Sequence, residues 1–126
     1  MTILETHKVD FKILDRPDVP LRKFAKGETV IVKGSPAKEM FLVRSGRVAI
    51  QVADQTVEEV EAGGIFGEMA LIDHAPRSAS AIAAEDAELI PIDERLFIIL
   101  VQDAPYFALD VMRVLAERLR RMNQRV

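Results

Sequence analysis

Residues 66–83 read FGEMALIDHAPRSASAIA, from Phe66 to Ala83. Glu68 and Arg77 stand in a run dominated by Gly, Ala, Ser, Pro and medium-sized apolar residues, the composition of a pocket wall more than of a surface loop. Gly67, Ala70, Ala75 and Ala79 let a ligand come close to the backbone, because Gly lacks a Cβ and Ala adds only a methyl group. Arg77 offers a planar fork of donors that fits a phosphate in bidentate fashion, and its charge persists at any cellular pH. Pro76 restrains the chain that delivers it.

Charge narrows the ligand. Arg77 is the only Lys or Arg between Arg47 and Arg95, in a stretch crowded with Asp and Glu. A nucleoside triphosphate or a nucleic-acid backbone demands several cations or a metal, whereas a cyclic phosphodiester carries a single charge that one Arg neutralises. A short helical turn over Met69 to Ile72 would add N–H groups that favour an anion beside that Arg. Glu68, ionised, only accepts hydrogen bonds, and so calls for a neutral hydroxyl such as a ribose 2′-OH.

Gly67-Glu68-Met69-Ala70-Leu71 followed by Pro76-Arg77-Ser78-Ala79 resembles the phosphate-binding cassette of the cyclic nucleotide-binding domain family, as in catabolite activator proteins and protein kinase A regulatory subunits. Upstream, Phe24-Ala25-Lys26-Gly27-Glu28, Gly34 and Met40-Phe41-Leu42-Val43-Arg44-Ser45-Gly46 look like that family's early strands and turns. Downstream, Pro91 to Arg125 looks like its two C-terminal helices, so the resemblance covers roughly residues 20–125. It implies that Glu68 holds the ribose hydroxyl and Arg77 the cyclic phosphate, with Gly67, Met69, Ala70 and Ser78 supplying nearby backbone or hydroxyl contacts. In the family the last helix lies across the nucleotide as a lid. Arg118 matches a position where an Arg lies near the ligand and the cassette acid, which implies an Arg118 to Glu68 link. Met122, placed in the ligand site by the same resemblance, and Asn123 depart from the Thr-Ser pair that reads adenine there. Ser78 follows the Arg where a hydroxyl can touch the phosphate or a guanine amino group, which permits cyclic GMP.

A chain of 126 residues makes one domain with a single core. The expected fold is mainly β with flanking helices: an antiparallel β-roll, jelly-roll-like, over about residues 20–92, then two helices over about 93–125. Absence of Cys excludes disulfides and thiolate metal sites and is compatible with a cytoplasmic location. Met1 to Asp10 carry Glu5, Lys8 and Asp10 and lack the apolar core of a signal peptide. The apolar window Leu96 to Val101 is too short to span a bilayer. A net charge of −3 gives no general attraction to nucleic acid or acidic lipid.

Thr29 to Val32, Met40 to Ser45, Arg47 to Val52 and Thr56 to Val60 are β-rich runs, with Ser45-Gly46 and Asp54-Gln55 placed as hairpin turns. Glu61 to Gly64 forms a turn leading into Ile65-Phe66, where Gly63 and Gly64 read as turn residues. Two further strands are expected near Ser80 to Ala83 and Glu88 to Ile92. Asp93 is placed as the N-cap of a helix carrying Leu96, Ile99 and Leu100, and a second helix runs from about Pro105 or Tyr106 to Gln124. On it, Met112, Leu115, Leu119 and Met122 follow three-four spacing. This stripe either packs on the domain's own roll or joins two copies into a homodimer. Arg118, Arg120, Arg121 and Arg125 suit the negative end of that helix and would ordinarily form a solvated face.

No nucleophile elbow, Walker loop or metal-ligand motif occurs, and His7 and His74 are far apart, with His74 read as an exposed loop residue. The expectation is a binder and not an enzyme, needing no cofactor beyond its ligand, cyclic AMP ahead of cyclic GMP. An unidentified protein effector would read the helix, with no direct contact to nucleic acid or membrane. The rival expectation is a degenerate roll that binds no nucleotide and serves docking or dimerisation. A cupin-like enzyme would need a His-rich metal cluster.

Overall fold

A computed structural model describes Lys8, Leu14 and residues 17–124. The calls made on His7 and Arg125 lie outside the described residues. The chain runs β1 (Arg22–Phe24), β2 (Thr29–Ile31), β3 (Glu39–Ser45), β4 (Arg47–Val52), β5 (Gln55–Glu61), β6 (Ile65–Phe66), a 3₁₀ turn (Glu68–Leu71), β7 (Ser80–Ala83), β8 (Ala87–Asp93), α1 (Glu94–Asp103) and α2 (Tyr106–Gln124). Every strand pairing is antiparallel, in two four-stranded sheets ordered β1-β8-β3-β6 and β2-β7-β4-β5. The β-roll with two C-terminal helices is therefore observed.

The middle strands of the first sheet, β3 and β8, are buried on both faces, which is why they read as nearly continuous apolar runs. Phe41, Val43 and Leu89 point inward and meet Ile31, Val48, Val60 and Ala81 of the second sheet. Their neighbours Met40, Leu42, Ile90 and Ile92 point the other way, against Leu100 of α1 and Phe107, Val111 and Val114 of α2. Side chains alternate across a pleated strand, so one sequence run supplies both cores. Pro91 sits inside β8 opposite Phe41, and β1 stops opposite Leu89. A residue lacking an N–H thus falls where β8 is paired on one side only.

Several turns differ from expectation. Ser45-Gly46 is not a hairpin, because β3 and β4 lie in different sheets. Gly46 is a corner with φ +85°, and a Cβ there would come within 2.2 Å of the Asp86 carbonyl oxygen. The β4–β5 hairpin is centred one residue earlier than expected, on Ala53-Asp54, both at positive φ (51° and 62°), with Val52 paired to Gln55. Such a pair of left-handed residues matches the twist of the strands it joins. β1 adds a short strand that the β-rich runs did not include.

Asp93 caps α1 as expected, its side chain accepting from Leu96 N–H at 2.8 Å. On α2 the stripe packed on the roll is Phe107, Val111 and Val114, with Leu115 at its edge. Met112, Leu119 and Met122 are exposed. Among the described residues no helix is long and apolar enough to cross a membrane.

Candidate functional site

Gly67 ends β6 and opens the 3₁₀ turn in the left-handed region, at φ 74° and ψ 14°. This sharp change of direction turns Glu68 inward, where it is 5% exposed, and leaves Met69 exposed at the rim. The turn begins one residue before the expected Met69, with Ala70 N–H bonded to the Gly67 carbonyl oxygen at 3.2 Å. The chain then passes through an Asp73-anchored turn, Ala75 N–H to Asp73 Oδ1 at 3.0 Å, to reach Pro76 and Arg77. The backbone of Arg77 is tied on both sides of the peptide, Arg77 N–H to the Ser35 carbonyl at 2.9 Å and Gly34 N–H to the Arg77 carbonyl at 2.8 Å.

Between these elements lies a cavity of about 340 Å³. Its lining includes Gly67, Glu68, Met69, Ala70, Arg77, Ser78 and Arg118. Seven of the eight residues singled out from the sequence thus share one cavity. Met122 does not: it is 64% exposed and lies about one helical turn past Arg118, beyond the cavity lining. Ser78 is exposed at the cavity edge, and His74 is exposed at φ 56°.

Glu68 and Arg77 do not clasp each other. Arg77 donates from Nη1 to the Gly67 carbonyl at 3.1 Å and from Nη2 to the Glu39 carbonyl at 2.6 Å. Its guanidinium also lies 6.0 Å from the centre of the Phe41 ring. Both hydrogen-bond partners are neutral backbone groups, and among the described residues no carboxylate forms an ion pair with it. Burial lowers its pKa from the ordinary Arg value, against the upward pull of Glu39 and Glu68. It remains charged at any cellular pH.

Arg118 is the opposite case. It reaches down from α2 and donates from Nη1 to Glu68 Oε1, the link implied by the resemblance, and from Nη2 to the Ile65 carbonyl. Nε and Nη2 also donate to Glu58 Oε1 and Oε2, at 3.0 and 2.9 Å. Burial opposes its charge, yet Glu68 and Glu58 outweigh that and hold Arg118 above the ordinary value. Arg121 Nη2 lies 3.8 Å from Glu58, so this member of the expected solvated Arg face is half-buried and paired, while Arg120 is exposed.

Glu58 was not singled out from the sequence. The available signal was its phase: in β5 it alternates with Val60, and both are buried. Period-two patterning therefore aimed a carboxylate inward.

A family model described as the cyclic nucleotide-binding domain matches residues 21–104. The chain belongs to that family. It is 33% identical over 104 residues to the cyclic AMP receptor protein of Thermus thermophilus, covering 79% of this chain and 48% of that protein. It is 36% identical over 76 residues to a cAMP-dependent protein kinase regulatory subunit of Hypocrea atroviridis, covering 60% of this chain and 16% of that one. Among solved structures, the catabolite activator protein of Thermus thermophilus superimposes with a TM-score of 0.75 at 31% identity, over 85% of this chain and 53% of that one. The chain thus spans less than half the length of these two curated relatives. This cyclic nucleotide-binding domain shares its β-roll with that solved structure.

Proposed function

We propose that this domain binds a cyclic nucleotide, cyclic AMP ahead of cyclic GMP, as a regulatory sensor, with Arg77 holding the cyclic phosphate and Glu68 the ribose hydroxyl. One observation carries the reading. Arg77 lines the cavity hydrogen-bonded to backbone carbonyls and, among the described residues, in no ion pair, whereas Arg118, the other cavity Arg, is occupied by two carboxylates. A partly buried cation without a counter-ion favours an anionic ligand, and one such cation suits a single negative charge.

Glu68 supports the sugar role, since Arg118 engages Oε1 and no donor among the described residues engages Oε2. The cavity volume of about 340 Å³ falls in the range of small-ligand sites, about 300–1,000 Å³. Cyclic AMP is favoured by the names of the relatives, and Ser78 at the rim keeps cyclic GMP as the competitor.

Signalling would run through α2. Ligand shifts the helix only as far as it binds one helix position better than another. Arg118 is the residue that senses it, because the Glu68 carboxylate is shared between helix and sugar. The sensor would act in the cytoplasm on a protein effector, as a binding module without catalysis. Calorimetric titration with cyclic AMP and cyclic GMP tests the reading. Saturable binding of either supports it, and silence toward both at high micromolar ligand favours the docking module.

One observation extends the partner list to a second copy of the chain. Met112, Leu119 and Met122 leave an apolar stripe exposed on α2 at heptad-like spacing, a seam on which two copies would pair as a homodimer.

A further inference from the structure

Glu58 has no part in the ligand contacts proposed above, yet it lies in the cavity wall. It is 9% exposed. On β5 it faces Ile50 of β4, which faces Ala81 of β7, and this row across the second sheet lines the cavity. A carboxylate so placed needs a charged partner with good geometry. Arg118 meets it edge-on, Nε at 3.0 Å from Oε1 and Nη2 at 2.9 Å from Oε2.

A guanidinium can present one of two forked edges to a carboxylate, Nε with Nη2 or Nη1 with Nη2. Glu58 takes the first, and the Ile65 carbonyl also accepts from Nη2. Nη1 alone then reaches Glu68, and it reaches Oε1. The second oxygen of Glu68 keeps its lone pairs.

We propose that Glu58 is a positioning residue: by gripping Arg118 through Nε and Nη2 it fixes the guanidinium so that the other Nη2 hydrogen goes to the Ile65 carbonyl and only Nη1 meets Glu68, which reserves one Glu68 oxygen for a ligand hydroxyl. The inference rests on the ribose-binding reading of Glu68. Without the grip, Glu68 is the strongest acceptor left to Arg118, and a forked pair between them competes directly with the sugar. Glu58 would thus act on ligand discrimination through Arg118 without touching the ligand.

The test is calorimetric titration of cyclic AMP and its 2′-deoxy analogue against the unmodified chain, Glu58→Gln, Arg118→Gln and the double variant, with thermal melting to check folding. The unmodified chain should prefer the ribonucleotide by about ten-fold or more, the worth of one hydrogen bond to a charged group. Glu58→Gln should erase most of that preference. In the Arg118→Gln background the same change should move the ratio by less than about two-fold, the non-additivity expected of residues acting as a unit. Should Glu58→Gln fail to fold, Glu58→Asp keeps the charge but shortens the reach, and should lower the preference by at least about three-fold. A preference unmoved in the folded Glu58 variants would overturn this inference and leave the nucleotide reading standing. Absence of cyclic nucleotide binding by the unmodified chain would overturn both.

Discussion

Arg77 Nη1 lies 3.1 Å from the carbonyl oxygen of Gly67, the residue immediately before Glu68. The two ends of the cassette are thereby joined by one hydrogen bond, and among the described residues no carboxylate forms an ion pair with the guanidinium that lines the cavity. Replacing Arg77 with Ala should weaken cyclic nucleotide binding by about 2 to 5 kcal/mol, since a buried phosphate charge loses its partner. Titration calorimetry reads this directly, and unchanged affinity would remove the phosphate role.

Glu68→Gln should cost less affinity, because an acceptor oxygen survives while its charge is lost. The loss should fall on ribonucleotides more than on their 2′-deoxy analogues. Equal loss for both ligands would contradict a sugar contact.

Gly67→Ala combines two penalties. A Cβ at Gly67 would stand 2.7 Å from Arg77 Nη1, and the residue is at φ +74°. The left-handed conformation costs a non-Gly residue about 1–2 kcal/mol, and the guanidinium must also give way. Both stability in urea and affinity should fall. A variant that melts like the unmodified chain and binds equally well would show that the close approach is unimportant.

Gly46→Ala probes the corner between sheets and should leave the ligand contacts alone. Its Cβ would sit 2.2 Å from the Asp86 carbonyl oxygen and 2.7 Å from the Ala87 Cα, both backbone atoms that move only with β8. Destabilisation of at least about 2 kcal/mol in chemical denaturation is expected, as for strain at a special backbone position. A change of a few tenths would mean that the corner relaxes freely.

Leu119→Glu tests the exposed seam of α2, where Leu119 is 59% exposed. Sedimentation equilibrium should show the unmodified chain associating and the variant monomeric, because like charges across a heptad-like contact repel. A monomer in both cases would assign the stripe to another partner or to none.

The cassette was legible because its signal is local: small residues, one acid and one base within a short run, with Gly67 marking the turn. Strand positions were legible for the same reason, since alternation and turn residues lie close together in sequence. What sequence did not reveal depended on packing at a distance. Whether Ser45-Gly46 folds back as a hairpin or switches sheets is decided by Asp86 and Ala87, far along the chain. Met112, Leu115, Leu119 and Met122 offered a tidy repeat, but Phe107, Val111 and Val114 fit the gap over the first sheet better. Glu58 escaped notice because a Glu in an acidic strand ordinarily faces water, and it is Arg118 and Arg121, brought over by α2, that make an inward position tolerable.

The two halves of α2 are held by different forces. Phe107, Val111 and Val114 seat its beginning in the core, while Arg118 and Arg121 tether its middle and end to carboxylates of the roll. Such a helix is a lever with an apolar fulcrum and an ionic catch. From Val111 to Gln124 the arm is about 20 Å long at about 1.5 Å per residue, so a tilt of about 10° sweeps its tip by about 3 Å. Small adjustments at the catch are thus magnified at the outer end of the arm.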